Sequence, residues 1–310
     1  MQKIKIAIIG AGAVGVSTAY ALMLMNLGAE IVLVDVNETH TEGEVLDLQD
    51  ALAFSKVSCV QRVSLKQAQD AQVIIVTAGV AQKPGQTRLE LLSANAKVMT
   101  QLAEGLNPLA VDTVVLVATN PVDIMTQVLQ DVLDHPRDNI IGSGTLLDSQ
   151  RLRGFIAEKL AVSKSSVHAY ILGEHGDSQF PAWSVANVGG CPLSAFGQLS
   201  TEVKETLAQS TKRKAYEIIN RKGATYYGIA ACLAQICQTI VYNKKHVLPL
   251  STYHEELGVC LSLPVVLGRN GVEQVLPIQL SESEQQQLAQ SAETLRETYN
   301  KLKEGVAQPQ

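Results

Sequence analysis

The sequence has little of what marks membrane or nucleic-acid-binding proteins. No uninterrupted apolar stretch approaches the roughly 18 residues of a membrane span, and the first apolar run stops at Gly10, too early for a signal peptide. The net charge of −5 and the pI near 5.7 leave no basic surface for nucleic acid or anionic lipid. We therefore expect neither a membrane nor a nucleic acid as a partner.

Cysteine is also scarce, and its spacing excludes two further classes. The five cysteines are odd in number and scattered, with no CxxC pair and no histidine at zinc-finger spacing. Cysteines in such a pattern are typically reduced thiols that pack as small apolar side chains. We therefore expect a cytoplasmic protein with neither a disulfide framework nor a metal site.

The first half of the sequence alternates short apolar runs with helical stretches. The runs are KIAIIG, EIVLVD, AQVIIVTAG and TVVLVATNP, and helical spacing is found over 14–27 and 89–106. Nearly continuous apolar runs are typical of parallel strands that are covered on both faces. The alternation predicts an α/β fold, with a Rossmann-type doubly wound parallel sheet in residues 1–142.

Beyond about Gly142 the pattern changes to longer helices mixed with shorter strands. Helices are predicted over 146–162, 201–220, 224–242 and 281–303, and strands within 258–278. We therefore predict a mixed α+β substrate domain over 143–310, packed closely against the first domain with the active site in the crevice between them.

The stretch AIIGAGAVG predicts a dinucleotide site. It places Gly10, Gly12 and Gly15 directly after the first strand and at the start of a helix, and Asp35 ends the second strand. The glycines permit a tight turn, close approach of a pyrophosphate and close packing of the helix. Asp35 can accept hydrogen bonds from ribose hydroxyls and would repel a 2′-phosphate, which indicates NAD. The alternative is a strand-end aspartate that caps a turn.

Hydride delivery to a carbonyl group needs a proton donor, a positive charge and a grip on the substrate. His175, in GEHGD, can supply the proton near neutral pH; the alternative is a surface histidine in a turn. Asp148 and Arg151 lie on one face of a predicted helix. The aspartate can orient the histidine and the arginine can hold a carboxylate, although a structural salt bridge between the two is equally compatible with the spacing.

Arg88 belongs to AGVAQKPGQTRLELL, a loop punctuated by glycine and proline. Such a loop can close over a ligand and bring the arginine to a carbonyl group, or it can be an ordinary surface loop. A protein that only binds a dinucleotide would need the glycines and Asp35 but not this polar set. The set therefore favours an enzyme.

Together these motifs resemble the lactate and malate dehydrogenase superfamily. The match runs over nearly the whole chain, through GAGAVG, Asp35, AQKPGQTR, ATNPVD, GSGTLLDSQRLR, GEHGDSQFPAWS and KGATYYGIA. The resemblance implies that His175 is the catalytic acid and base, with Asp148 as its partner. It further implies that Arg151 anchors the substrate carboxylate and that Arg88 polarises the carbonyl.

The resemblance also assigns the remaining site residues. Asn120 would hydrogen-bond near the reacting centre, Thr225 would line the pocket and Ile229 the nicotinamide side. The expected NAD site then comprises Gly10, Gly12, Val14, Gly15, Asp35, Thr77, Gly79, Asn120 and Ile229.

The substrate expected within the superfamily depends on Gln82, two residues before the proline of the loop. Malate enzymes carry arginine there and lactate enzymes glutamine. With a neutral amide, a second buried substrate carboxylate would lack its counter-charge at a cost of about 3–5 kcal/mol. Pyruvate and L-lactate are therefore expected. Gln86 stands where lactate enzymes commonly carry an acid, so malate and bulkier 2-oxo acids such as ketoisocaproate remain alternatives.

Arg153 and His168 match positions that, in some bacterial members of the superfamily, bind the phosphates of fructose 1,6-bisphosphate across a subunit interface. The resemblance therefore implies a homotetramer that this bisphosphate activates. The alternative is a surface arginine and a strand histidine without any effector function.

Overall fold

The computed structural model describes residues 4–27, 29–80 and 87–306. Strands and helices alternate through the first half of the chain. The strands are β1 (Lys5–Ile9), β2 (Glu30–Val34), β3 (Cys59–Arg62), β4 (Val73–Val76), β5 (Val114–Val117), β6 (Ile140–Gly142), β7 (Val167–His168), β8 (Ile171–Leu172), β9 (Phe180–Pro181), β10 (Asn187–Val188), β11 (Cys191–Pro192), β12 (His246–His254), β13 (Val259–Gly268) and β14 (Gly271–Val275). The helices are α1 (Ala13–Leu24), α2 (Glu38–Asp50), α3 (Arg88–Leu106), α4 (Val122–Val132), α5 (Leu146–Leu160), α6 (Thr201–Lys222), α7 (Tyr227–Val241) and α8 (Glu282–Val306).

Six strands of the first half form a parallel sheet in the order β3-β2-β1-β4-β5-β6. The order reverses between β1 and β4: β2 and β3 are added on one side of β1, and the chain then crosses back to add β4, β5 and β6 on its other side. This is the strand order of a doubly wound nucleotide-binding sheet. The predicted Rossmann-type sheet is thus confirmed.

The second half mixes helices with antiparallel strands, as predicted, but three of its strands extend the sheet of the first half. β12 pairs antiparallel with β6 through Ser251 and Gly142, and β13 and β14 follow as a meander. The result is one nine-stranded sheet. The boundary predicted at 142/143 therefore falls just after a strand of a sheet that both halves share.

Apolar side chains of the sheet alternate between two cores. In β1, Ile6 and Ile8 pack into the core beneath α1 and α7, whereas Ala7 and Ile9 pack into the core beneath α3, α4 and α8. Successive side chains of a strand point to opposite faces. A strand covered on both faces must therefore be apolar at every position, which explains the unbroken apolar runs.

The helices predicted from the sequence are present with differences at their ends, whereas α2 and α4 were not predicted. α6 ends at Lys222, because the φ of +85° at Gly223 breaks the helical geometry, and α7 begins at Tyr227 rather than at residue 224. Within the described ranges, no helix is long and apolar enough to cross a membrane.

Candidate active site

The glycine motif forms a close turn between β1 and α1. A Cβ atom on Gly15 would lie 1.9 Å from the carbonyl oxygen of Gly10, and one on Gly10 would lie 2.5 Å from the amide nitrogen of Ala78. A Cβ atom on Gly12 would meet nothing within 4 Å. Gly10 and Gly15 therefore allow backbone contact, while Gly12 opens onto free space where a pyrophosphate fits. No side chain caps α1 at Gly12, which leaves the first-turn amides available for an anion.

Asp35 lies at the end of β2, beside this turn. Its Oδ2 accepts a hydrogen bond from the amide of Ala11 at 2.7 Å, and its Oδ1 accepts one from the amide of Asn37 at 2.9 Å. Each carboxylate oxygen can accept a further bond. Asp35 is thus held in place and half-buried, with capacity left for the hydroxyls of a ribose. Asp35 therefore braces the turn, and its contact with the ribose of NAD stays a prediction.

The neighbouring strand ends are tied to the same edge of the sheet. Thr77 Oγ1 donates to the carbonyl of Gly10 at 2.8 Å. After Gly79, the amide of Val80 donates to Asn95 Oδ1 at 2.7 Å, and Asn95 Nδ2 donates to the carbonyl of Asn120 at 2.9 Å. The carboxyl ends of β1, β4 and β5 therefore form one rigid edge, where ligands of such sheets bind.

One carboxylate joins the two catalytic candidates. Asp148 Oδ2 lies 2.7 Å from His175 Nδ1, and Asp148 Oδ1 accepts a hydrogen bond from Arg151 Nη1 at 3.0 Å. The Asp148 side chain is 3% exposed, that of Arg151 10% and that of His175 30%. Asp148 therefore forms a salt bridge with Arg151 and a hydrogen bond with His175 at the same time. The remaining guanidinium nitrogens of Arg151 donate to no described residue.

Neighbouring charges determine the protonation of His175 and Asp148. Burial disfavours the imidazolium of His175, but the charge and hydrogen bond of Asp148 more than offset it, with Asp123 contributing, so the pKa of His175 lies above its ordinary value. Burial likewise opposes ionisation of Asp148, yet His175 and Arg151 hold its pKa below its ordinary value. The site therefore favours an ionised aspartate beside a histidine that readily carries a proton.

His175 and Asp148 open onto a cavity of about 400 Å³ between the strand ends and α6. Asn120 lines the same cavity from the end of β5. The other lining residues are Leu91, Leu92, Pro121, Gly176, Asp177, Gln179, Lys212, Ala215, Tyr216 and Ile219. A cavity of this size accommodates a small acid together with part of a larger cofactor.

Several predicted site residues lie outside this cavity lining. Arg151 sits behind Asp148, and Thr225 lies in the loop between α6 and α7. Ile229, in the first turn of α7, and Val14, in α1, both pack against the core beneath these two helices, and their contacts with the nucleotide stay predictions. Gln82 and Gln86 lie outside the described residues. Arg88 begins α3, and its side chain is likewise not described.

Arg153 lies half-buried beside the segment that carries His168. Arg153 Nε donates to the carbonyl of Ala169 at 2.9 Å, next in sequence to His168, and the guanidinium carbon lies 5.2 Å from the centre of the Tyr170 ring. His168 is exposed on β7, where it pairs with Asn187.

Asp123 is a site residue that the sequence analysis did not single out. It lies in the first turn of α4, is 2% exposed, and accepts a hydrogen bond from the amide of His175 at 2.7 Å. The available signal was its position in ATNPVD, three residues after Asn120 at the end of β5. Charged residues at such strand ends converge on the ligand site.

The fold and the site define an enzyme class. A doubly wound sheet with a dinucleotide cradle, adjoining a cavity that holds a histidine–aspartate pair, is the architecture of a nicotinamide-dependent dehydrogenase.

Comparison with known proteins identifies the family. Residues 4–142 match the family profile described as "lactate/malate dehydrogenase, NAD binding domain", and residues 145–306 match "lactate/malate dehydrogenase, alpha/beta C-terminal domain". The chain belongs to the lactate/malate dehydrogenase family, and its cofactor is NAD.

Named relatives agree with this assignment along nearly their whole length. An L-lactate dehydrogenase A of Rhizopus oryzae is 44% identical over 94% of this chain and 91% of its own. An L-lactate dehydrogenase of Latilactobacillus sakei is 41% identical over 96% and 94% of the two chains. The crystal structure of MGS-M5, a lactate dehydrogenase from a deep-sea metagenome library, superposes with a TM-score of 0.94 at 37% identity, covering 98% of this chain and 100% of that one.

Proposed function

We propose that the protein is an L-lactate dehydrogenase, which interconverts pyruvate and (S)-lactate with NADH and NAD⁺. The observation that carries the proposal is Asp148, which is shared between His175 and Arg151 beside the strand ends that hold the dinucleotide. When bound, NAD supplies or accepts the hydride. The residues of the chain supply the proton, the grip on the substrate and the orientation.

His175 acts as the acid in pyruvate reduction. Because ionised Asp148 accepts a hydrogen bond from Nδ1–H, Nε2 is the ring nitrogen that is free to donate to the carbonyl oxygen of pyruvate. In lactate oxidation the same nitrogen accepts the hydroxyl proton. Asp148 fixes the tautomer and stabilises the imidazolium throughout.

Arg151 holds the substrate carboxylate with the nitrogens that it does not give to Asp148. Asn120, at the mouth of the cavity, donates to the substrate oxygen. Arg88 adds positive charge beside that oxygen, and Thr225 completes the pocket. These roles account for each requirement of hydride transfer to a carbonyl group.

The substrate is pyruvate rather than oxaloacetate because Gln82 offers no counter-charge to a second carboxylate. Gln86 favours a second candidate, a malate or broad-specificity L-2-hydroxy acid dehydrogenase, because the loop lacks an acid that would repel dicarboxylates. The names of the relatives support the first candidate.

Product analysis tests the proposal. The purified protein is incubated with pyruvate and NADH, and the lactate formed is resolved by chiral chromatography. We expect (S)-lactate alone, with a rate about 10²–10⁴-fold lower for His175→Ala. If no lactate forms, the proposal is wrong: oxidation of NADH by oxaloacetate or ketoisocaproate would then support the second candidate, and binding of NADH without any turnover would indicate a non-catalytic dinucleotide-binding protein.

The proposal extends to a homotetramer activated by fructose 1,6-bisphosphate through Arg153 and His168. Two cationic groups that face their symmetry mates repel one another until an anion binds, so the bisphosphate favours one quaternary state. The hydrogen bond from Arg153 to the carbonyl of Ala169, next in sequence to His168, supports this. Pyruvate saturation curves at pH 6 that do not move on adding millimolar bisphosphate would exclude the effector role. A cytoplasmic location and a place in fermentative glycolysis accompany the proposed activity.

A further inference from the structure

Asp123 is a buried carboxylate that the proposed reaction does not use. Asp123 lies in the first turn of α4. Its Oδ2 accepts a hydrogen bond from the amide nitrogen of His175, 52 residues further along the chain, at an N···O distance of 2.7 Å. Asp148 meanwhile accepts from the ring of the same histidine at 2.7 Å. His175 is therefore held by two carboxylates, one at its peptide group and one at its ring.

The surroundings of Asp123 are unfavourable for a charge. Ser251 of β12, itself 0% exposed, lies beside it, but the contact falls outside hydrogen-bond geometry: Asp123 Oδ1 and Ser251 Oγ both lack a partner among the described residues. Burial raises the pKa of Asp123 to about 6, although Ser251 and the His175 amide lower it. The carboxylate is thus mainly ionised at neutral pH, at a cost that a neutral residue would avoid.

Charged groups surround His175 from several elements. α5 contributes Asp148 and Arg151, α4 contributes Asp123, and Glu174 precedes the histidine in its own loop. From α6, Lys212 lies 3.6 Å from the carboxylate of Asp177 and forms a separate, partly exposed pair. Among these charges Asp148 raises the pKa of His175 most and Asp123 raises it next, while Arg151 opposes both with a smaller effect.

A structural role alone would not require this charge. An asparagine has the same shape, accepts the same amide proton through Oδ1, and can donate to Ser251 through its amide group. An aspartate in the first turn also suits the helix dipole of α4, but that effect is available to any exposed acid there. The buried negative charge of Asp123 is therefore best explained by its effect on the nearby imidazolium of His175.

We infer that Asp123 is a positioning residue for His175: it fixes the peptide group of the histidine and adds a second negative charge that holds a proton on the ring. The rate effect of this residue rests on the proposed function, whereas its effect on the titration of His175 does not.

The test is the variant Asp123→Asn, compared with Asp47→Asn, which removes a charge from an exposed site on α2. His175 is titrated by NMR through its Cε1 proton in the enzyme without substrate. We expect the pKa of His175 to fall by about one unit in Asp123→Asn and to stay unchanged in Asp47→Asn. The alkaline limb of pyruvate reduction should move by the same amount, while the rate at acidic pH is largely kept.

Two further measurements keep the outcomes distinct. Asp123→Ala, which also removes the acceptor for the His175 amide, should lower kcat at every pH. In the wild-type protein, a ¹³C-labelled Asp123 carboxyl should titrate near pH 6. An identical His175 titration in wild type and Asp123→Asn, or an Asp123 that stays protonated to pH 8, would overturn the inference. Absence of pyruvate turnover in the wild type would instead refute the proposed function and leave the NMR test intact.

Discussion

His175 donates from Nδ1 to Asp148 at 2.7 Å, which leaves Nε2 for a ligand in the cavity. Asp148 raises the pKa of this histidine above its ordinary 6.5 despite burial. We therefore expect kcat/KM for pyruvate reduction to be flat below a break above pH 6.5 and to fall tenfold per pH unit beyond it, because the reaction needs the protonated ring. Lactate oxidation should rise with pH up to the same break.

Steady-state profiles in both directions check this pH dependence. Asp148→Asn keeps the size of the side chain but removes its charge, so its break should move to lower pH. A wild-type break at or below pH 6.5 would contradict the assigned role of Asp148.

Arg151 is proposed to hold the substrate carboxylate with two parallel hydrogen bonds. Arg151→Lys keeps a positive charge near Asp148 but replaces a planar fork with a point charge. Losing one charged hydrogen bond to the substrate carboxylate costs about 1.5–3 kcal/mol, so KM for pyruvate should rise about 10- to 100-fold. KM for NADH should not change. If both KM values rose together, the arginine would support the fold rather than the substrate.

Asp123 should cost stability in a pH-dependent way. Its pKa of about 6 lies above the ordinary 3.8, so the folded state binds the proton more tightly and loses stability as pH rises from about 4 to 6, by about 3 kcal/mol in all. Asp123→Asn should therefore be more stable than the wild type at pH 8, and this advantage should disappear by pH 4. Urea unfolding at both pH values measures it, and an equal difference at the two would contradict it.

Sequence reasoning reached some of these residues but not others, for a physical reason. His175, Asp148 and Arg151 each carry a local signal: a glycine-bounded loop, or a spacing of three on a helix. Asp123 carries only its position near the end of β5, which does not reveal its role, because that role arises from a contact across 52 positions that only the folded chain creates.

At the scale of elements, the turn from β1 to α1 separates backbone packing from ligand binding. Gly15→Ala would force a Cβ atom within 1.9 Å of the Gly10 carbonyl oxygen, whereas the same change at Gly12 meets nothing within 4 Å. We expect Gly15→Ala to lose about 1–3 kcal/mol of stability together with NADH binding. Gly12→Ala should melt like the wild type but bind NADH more weakly.

Thermal melting and NADH fluorescence titration compare these two variants. A Gly15→Ala protein that melts like the wild type would contradict the close contact. A Gly12→Ala protein with unchanged NADH affinity would contradict the placement of the pyrophosphate.

Four of the six strands in the first half, β1, β2, β4 and β5, were predictable, and apolar runs between helical stretches leave few alternatives to a parallel doubly wound sheet. The short β3 and β6 were not predicted. The destination of β12–β14 was not predictable. Alternating apolar patterns identify strands, but nothing local in Ser251 indicates that it pairs with Gly142 of a distant element. The pairing partner of a strand depends on how all elements of the domain pack together, and the apolar pattern of one segment does not determine it.

For the whole molecule, the shared sheet makes the two halves mechanically continuous. Trp183, the single tryptophan, lies in the second half. We expect its fluorescence and the far-UV circular dichroism to report one unfolding transition with coincident midpoints. NADH at 100 times its Kd should stabilise both probes together by about 2.7 kcal/mol. A Trp183 transition clearly separated from the loss of helix would show that the halves unfold independently.

The proposed selectivity for a 2-oxo monocarboxylate can be measured on the wild-type protein, by comparing kcat/KM for pyruvate and for oxaloacetate with NADH. We expect a preference for pyruvate of about a hundredfold or more, because Gln82 supplies no counter-charge for a second carboxylate. An equal or greater kcat/KM for oxaloacetate would contradict it, because the pocket would then hold a second carboxylate without that residue.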